Sequence, residues 1–117
     1  MKLVRSTENS LAGLAHALKT ERALQMEVAV LVAFVPLSLI VGTDFWQRAV
    51  LIASGLFVLS VELLNTCVEK LCDHVTPVLH PEVKVVKDMG SAAVFCSLLA
   101  VGLLWLTAVL ARLGIIG

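Results

Sequence analysis

With 117 residues, of which 59% are hydrophobic, and a mean hydropathy of +0.97, this chain is far too apolar for a soluble domain of its size. Nine basic and nine acidic residues leave no net charge, and no basic run favours nucleic acid as a partner. The three cysteines lie in or beside apolar stretches without a CxxC pairing, which predicts packing thiols. These features predict a single-domain integral membrane protein that binds no nucleic acid.

The first 20 residues have the pattern of an amphipathic helix. Apolar and small side chains recur at alternating intervals of three and four residues, and basic or polar side chains occupy the other faces. The recurring series comprises Val4, Thr7, Leu11, Leu14 and Leu18. We therefore expect residues 1–20 to form a surface helix in the headgroup layer of a membrane.

Three apolar segments follow, each long enough as a helix to cross a hydrocarbon core about 30 Å thick. We place them at residues 22–42, 46–72 and 81–112, the last being a helix that starts outside the membrane. Pro77 and Pro81 should interrupt the helix between the second and third segments, with Pro81 as the first residue of the third. The predicted fold class is an all-α membrane protein with a surface helix and three transmembrane helices.

The distribution of lysine and arginine predicts the orientation of these helices. Positive residues are enriched on the cytoplasmic side of membrane proteins. Seven lie in the N-terminal region or near the loop before the third span, against two on the other side: Lys2, Arg5, Lys19, Arg22, Lys70, Lys84 and Lys87 against Arg48 and Arg112. We therefore expect a cytoplasmic N-terminus and a cytoplasmic second loop.

The second span carries a polar stripe formed by Glu62, Asn65 and Glu69. Their spacing places them within about 60° of one another on one helix face. An ionised carboxylate at the bilayer centre costs about 3 kcal/mol or more, so such residues face protein, water or metal and indicate a functional site. Three helices can hardly enclose this stripe, which predicts that protomers associate around it. Two carboxylates and an amide also supply the oxygen ligands that Mg²⁺ prefers.

Residues at the start of the third helix offer contacts for a phosphate. Lys87 supplies a cation, Asp88 an oxygen ligand, and Gly90 with Ser91 a close backbone approach. Together with the stripe, they favour phosphoryl transfer at the membrane surface. The chain has no Walker A or protein-kinase motif. A proton or cation pathway and a hydrogen-bonded assembly surface therefore remain alternative interpretations of the stripe, and the glycine–serine run also suits close helix packing.

Two blocks of the sequence closely resemble the signature blocks of the bacterial DgkA-type diacylglycerol kinases. The first runs from Val61 to Glu69 (VELLNTCVE) and the second from Lys87 to Val94 (KDMGSAAV). The spacing between the blocks also matches without gaps. The resemblance extends upstream through Glu21–Glu27 to Ser10, so it covers nearly the whole chain.

The resemblance implies a homotrimer in the bacterial inner membrane, with active sites between neighbouring protomers at the cytoplasmic face. It implies transfer of the γ-phosphate of ATP to the hydroxyl of diacylglycerol, giving phosphatidic acid, with Mg²⁺ as the metal. By the same resemblance, Glu62 matches the catalytic base, Asn65 a supporting residue and Ser91 a lipid contact. Glu21 and Glu69 match metal-coordinating carboxylates. The matched nucleotide contacts are Glu21, Glu69, His80, Lys87, Asp88, Lys2 and Asn9.

The chain departs from the family pattern near its N-terminus. Lys2 stands where the family usually has an arginine, and Asn9 where a tyrosine is common. Lysine does not replace arginine at a bidentate phosphate contact, so Lys2 should weaken nucleotide binding if that contact is used. A sister branch of the family phosphorylates undecaprenol and shares the Glu-Leu-Leu-Asn-Thr block. Undecaprenol kinase is therefore the alternative activity, although Gly90–Val94 and the Glu21/Glu27 pair resemble the diacylglycerol branch more.

Overall fold

The computed structural model describes residues 1–76, 78 and 80–116. Four α-helices follow one another along the chain: α1 Lys2–Thr20, α2 Arg22–Val41, α3 Phe45–Val75 and α4 Pro81–Arg112. Nothing in the described residues is β-strand. The predicted all-α membrane fold is confirmed.

Three of these helices are long and apolar enough to cross a membrane. α2 has 20 residues, α3 has 31 and α4 has 32. At a rise of about 1.5 Å per residue, α3 and α4 each reach about 47 Å, whereas the hydrocarbon core needs about 30 Å. Both helices are therefore longer than the hydrocarbon core is thick, and the chain is a multi-pass membrane protein.

Local hydrogen bonds fix where α2 and α3 begin. Glu21 separates α1 from α2 with an extended backbone (φ −111°, ψ 111°), and its N–H donates to the carbonyl of Ala17 at 2.8 Å. α3 starts after Asp44, whose carboxylate accepts a hydrogen bond from the N–H of Gln47 at 2.7 Å. The turn between α2 and α3 therefore covers only residues 42–44.

α4 begins at Pro81, as the sequence predicts. The ring nitrogen Nδ1 of His80 accepts a hydrogen bond from the N–H of Glu82 at 3.2 Å, so His80 caps the helix. Glu82 lies in the first turn, where a negative charge favours the helix dipole. Pro77, the other residue predicted to interrupt the helix, lies outside the described residues.

α3 packs between α2 and α4. In the half of the bundle that lies away from the α3–α4 loop, aromatic side chains join the three helices. The rings of Phe34 and Trp105 lie 4.6 Å apart, centroid to centroid. The indole N–H of Trp105 donates to the hydroxyl of Ser54 at 3.2 Å. A Cβ on Gly55 would overlap Leu31, so glycine allows α2 to approach α3 closely at this level. This half of the bundle is a structural unit.

The opposite half, which we call the α1 end, contains the α1–α2 junction, the second half of α3 and the first turns of α4. A small apolar cluster of Ala17, Leu24 and Leu59 holds α1, α2 and α3 together there. Leu24 is fully buried. The cluster places the extended residue Glu21, which lies between Ala17 and Leu24 in the chain, beside α3.

Replacing Trp105 with phenylalanine should lower the free energy of unfolding by about 0.5–1.5 kcal/mol. The substitution keeps an aromatic ring against Phe34 but removes the hydrogen bond to Ser54. Titration with a denaturing detergent in mixed micelles measures the change. Trp46→Phe is the matched control, because Trp46 is exposed at the start of α3. An equal loss in both variants would contradict a role for the bond between helices.

Candidate functional site

The polar stripe of α3 lies at the α1 end, and its three members differ in exposure. Asn65 is buried, Glu62 is half-buried and Glu69 is exposed. The side-chain amide of Asn65 donates to one carboxylate oxygen of Glu69 at 3.1 Å. The stripe therefore combines a half-buried carboxylate with an exposed one, and the exposed one is bonded to a buried amide that the protein holds in place.

Close packing of α4 fixes that amide. A Cβ added to Gly90 would overlap the side-chain oxygen of Asn65, so α4 approaches α3 here as closely as a glycine permits. The same oxygen is buried and has no hydrogen-bond partner among residues 1–76, 78 and 80–116. A buried acceptor without a partner is rare and marks a strained or functional position. The close helix packing expected of the run at Gly90 is thus present, and it acts on the stripe.

Gly90→Ala should lower the free energy of unfolding by about 1–3 kcal/mol, because Asn65 or α4 must move to accommodate the new methyl group. Gly102→Ala, on the same helix, is the matched control. A Cβ on Gly102 would meet nothing within 4 Å, so better helix propensity should leave that variant unchanged or slightly more stable. Detergent-induced unfolding measures both. Equal stability of the two variants would contradict the close contact.

A polar pocket of about 240 Å³ lies where α3 ends and α4 begins. Two ion pairs line it: Lys87 Nζ to Asp73 Oδ1 at 2.5 Å, and Lys84 Nζ to Asp88 Oδ2 at 2.7 Å. His80 also lines the pocket. Lys87 is near enough to Glu69 for the two charges to attract. The structure therefore brings His80, Lys87 and Asp88 together, and links this group electrostatically to the stripe.

A second, larger cavity of about 580 Å³ opens between α1 and α3. Its wall is mainly apolar, with Leu14 from α1 and Leu59 and Leu63 from α3. Leu63 directly follows Glu62 in the chain. Cavities of this size and character hold small apolar or amphipathic ligands. We call this cavity the α1–α3 cleft.

Glu21 lies at the rim of the α1–α3 cleft and forms an ion pair with a lysine. Its Oε1 is 2.6 Å from Nζ of Lys70. The sequence pattern favours a Lys70 side chain that is solvated or extends to the membrane surface. Nothing in the local spacing indicates its partner Glu21, which is 49 residues away in the chain. The sequence pattern also gives no neighbour for Glu27 of α2. Its carboxylate lies close enough to Glu62 for the two to repel each other. Carboxylates from two helices thus converge at the α1 end.

The remaining sequence-predicted residues stand apart in the single protomer. Lys2 and Asn9 are exposed on α1, and Ser91 is exposed on α4. None of the three has a side-chain hydrogen bond or ion pair to the stripe within the described ranges. Their predicted contacts with ligand stay predictions.

The side chains of the stripe suit a hard divalent cation. In the part of the chain that the structure describes, no group of three or more His, Cys, Asp or Glu side chains could hold a metal ion alone. Mg²⁺ does not require one, because it is commonly bound through one or two carboxylates together with substrate phosphates and water. Glu69 fits that pattern: its carboxylate is exposed, and Asn65 uses only one of its oxygens.

Comparison with known proteins identifies the family. Residues 8–109 match the family model of prokaryotic diacylglycerol kinase. The chain is 37% identical over 109 residues to the diacylglycerol kinase of Pseudomonas aeruginosa, covering 93% of this chain and 89% of the relative. It is 37% identical to that of Haemophilus influenzae (88% and 87% covered) and 33% to that of Escherichia coli K12 (89% and 85%). The chain is a membrane enzyme that belongs to the prokaryotic diacylglycerol kinase family.

Proposed function

We propose that this protein transfers the γ-phosphate of ATP to the free hydroxyl of diacylglycerol and releases phosphatidic acid and ADP. The observation that carries the proposal is the stripe, in which a half-buried Glu62 and an exposed Glu69 lie on one helix beside the lysine-lined pocket. A lipid kinase must bring a water-soluble phosphate donor to an acceptor that stays in the membrane. A site with one carboxylate at the depth of the lipid acceptor and another near the water-soluble donor meets that need.

The nucleotide binds at the polar pocket between α3 and α4. Lys87 leaves Asp73 and pairs with the phosphates of ATP instead, so the positive charge of the lysine stays neutralised. Asp88 and His80 line the same pocket and complete this half of the site. Lys2 and Asn9, exposed on α1, add further contacts to the nucleotide.

Glu69 and Glu21 are the residues that would hold Mg²⁺ when ATP binds. The exposed carboxylate of Glu69, ordered by Asn65, is the first of these ligands, and Glu21 at the α1–α2 break is the second. When bound, Mg²⁺ neutralises charge on the transferred phosphoryl group. Positioning and charge neutralisation matter more for this reaction than covalent chemistry.

Glu62 accepts the proton of the lipid hydroxyl as the hydroxyl oxygen bonds to phosphorus. Its half-buried position in α3 suits an acceptor that arrives from the bilayer. The α1–α3 cleft, whose wall includes Leu59 and Leu63 on either side of Glu62 in the chain, accommodates the apolar part of that lipid. Ser91 contacts the lipid headgroup, and Asn65 keeps the stripe in register.

The active unit is a homotrimer. Glu62 is only half-buried in a single protomer, and an ionised carboxylate facing lipid is costly, so a neighbouring protomer covers it. The positive charges of α1 and of the α3–α4 region support a cytoplasmic position for both, at the inner membrane. ATP is available on that side, which agrees with the location of the polar pocket.

The test is a side-by-side assay of purified protein in mixed micelles with labelled ATP and either diacylglycerol or undecaprenol. We expect Mg²⁺-dependent label in phosphatidic acid. Label in undecaprenyl phosphate alone would replace the proposal with the activity of the sister branch. Folded protein that labels neither lipid, but carries an ATP-independent current in liposomes, would instead favour a cation pathway.

A further inference from the structure

Lys70 holds the carboxylate that the proposed function assigns to the metal. We infer that Lys70 stays paired with Glu21 whenever the metal is absent. Mg²⁺ must then displace this lysine, and the competition weakens the metal affinity of the enzyme. The inference rests on the proposed function, because it requires Glu21 to be a metal ligand. It adds a residue that acts on the metal through another side chain.

The geometry of the pair supports this competition. Lys70 Nζ and Glu21 Oε1 are 2.6 Å apart, which is direct ionic contact. Glu21 is three-quarters buried (side chain 25% exposed), so few directions are open to its carboxylate. Lys70 contacts one of the two oxygens of this carboxylate, so a metal ion that binds Glu21 must compete with the positive charge of the ammonium. One carboxylate cannot serve both cations at full strength.

The helix geometry gives the two partners of Glu21 different directions. Lys70 directly follows Glu69 on α3, and successive residues of an α-helix point about 100° apart. Lys70 lines the α1–α3 cleft, whereas Glu69 belongs to the stripe and is bonded to Asn65. Contact with Lys70 thus draws Glu21 towards the cleft face. A metal shared by Glu21 and Glu69 draws the same carboxylate towards the stripe.

The α1–α2 break lets Glu21 change partner. Glu21 lies between the two helices in an extended conformation; its backbone N–H donates to the carbonyl of Ala17, its carbonyl accepts from the N–H of Gln25, and neither bond involves the side chain. The side chain can therefore turn without unwinding a helix. Lys70 is 58% exposed, so water takes over its charge when Glu21 leaves. The pair opposes metal binding only weakly, by about two- to fivefold in affinity, as expected for an ion pair whose lysine is largely exposed to solvent.

The test measures metal binding without turnover. Mn²⁺ serves as the probe in electron paramagnetic resonance titrations of the micellar protein with a non-hydrolysable ATP analogue, followed by competition with Mg²⁺. Lys70→Met should tighten Mn²⁺ binding by about two- to fivefold, and Lys70→Arg, which restores a cation, should return it towards the wild-type value. Lys19→Met is the charge-matched control, because Lys19 has no ion pair within the described residues.

A double variant separates direct competition from a general effect of charge. With Glu21→Gln already present, Lys70→Met should give no further change, since Lys70 acts through Glu21. A persistent tightening in that background would overturn the inference and leave the proposed function intact. Equal affinity of Lys70→Met and wild type would do the same. Unchanged binding in Glu21→Gln would overturn both the inference and the metal role proposed for Glu21.

Discussion

Glu62→Gln should lower the rate of lipid phosphorylation by at least about 100-fold, the usual contribution of a general base. Glutamine keeps the size of the side chain but cannot accept the hydroxyl proton. The neutral amide also removes repulsion with Glu27, so the variant should be no less stable than the wild type. Phosphate incorporation into diacylglycerol measures the rate, and detergent unfolding measures the stability.

The control for this variant is Glu8→Gln, which makes the same chemical change at an exposed position on α1. We expect nearly normal activity from it. If Glu62→Gln kept more than half of the wild-type rate in a folded oligomer, Glu62 would not be the base. If it lost its oligomeric state instead, the stripe would be an assembly surface.

Lys87→Met should reduce the rate by about 100-fold or more, because it removes a cation that stabilises charge on the phosphates. In the absence of nucleotide, Lys87 is bound to Asp73 at 2.5 Å, and the exposed pair contributes little to stability. The variant should therefore fold normally and fail in catalysis. Initial rates over a range of ATP concentrations separate a loss in kcat from an increase in KM.

Lys84→Met is the matched control for Lys87. Both lysines lie in the first turns of α4, both form an ion pair with an aspartate, and both line the polar pocket. They differ in their partners, because Lys87 pairs with Asp73 at the end of α3 whereas Lys84 pairs with Asp88 one turn along α4. We expect less than a tenfold effect from Lys84→Met. Equal losses in the two variants would mean that the pocket needs positive charge without needing a particular lysine.

The sequence predicts the helices well because their signals are local. Hydropathy over windows as long as a membrane span defines α2, α3 and α4, and the geometry of proline defines the start of α4 at Pro81. The stripe is also a local feature, since Glu62, Asn65 and Glu69 lie within two turns of one helix. Periodicity alone therefore places them on a common face.

Contacts between helices cannot be predicted from such local patterns. Glu21 with Lys70 and Asp73 with Lys87 join different elements, and no spacing in the chain indicates which charge finds which partner. The overlap that a side chain at residue 90 would have with Asn65 depends on how deeply α4 packs against α3. These features follow from the packing of the bundle, which sets distances that a one-dimensional pattern does not contain.

The length of α3 has a consequence for the membrane around the enzyme. Glu62 and Glu69 are fixed about 10.5 Å apart along one continuous helix of 31 residues. The protein cannot change that distance, so in the proposed mechanism the depth at which a lipid hydroxyl meets Glu62 depends on bilayer thickness. Mismatch between helix and bilayer is relieved by tilt or by local deformation of the lipids, at fractions of a kcal/mol per Å. The membrane thus affects the proposed reaction in two ways. It supplies the acceptor lipid, and its thickness sets the depth of the lipid hydroxyl relative to Glu62.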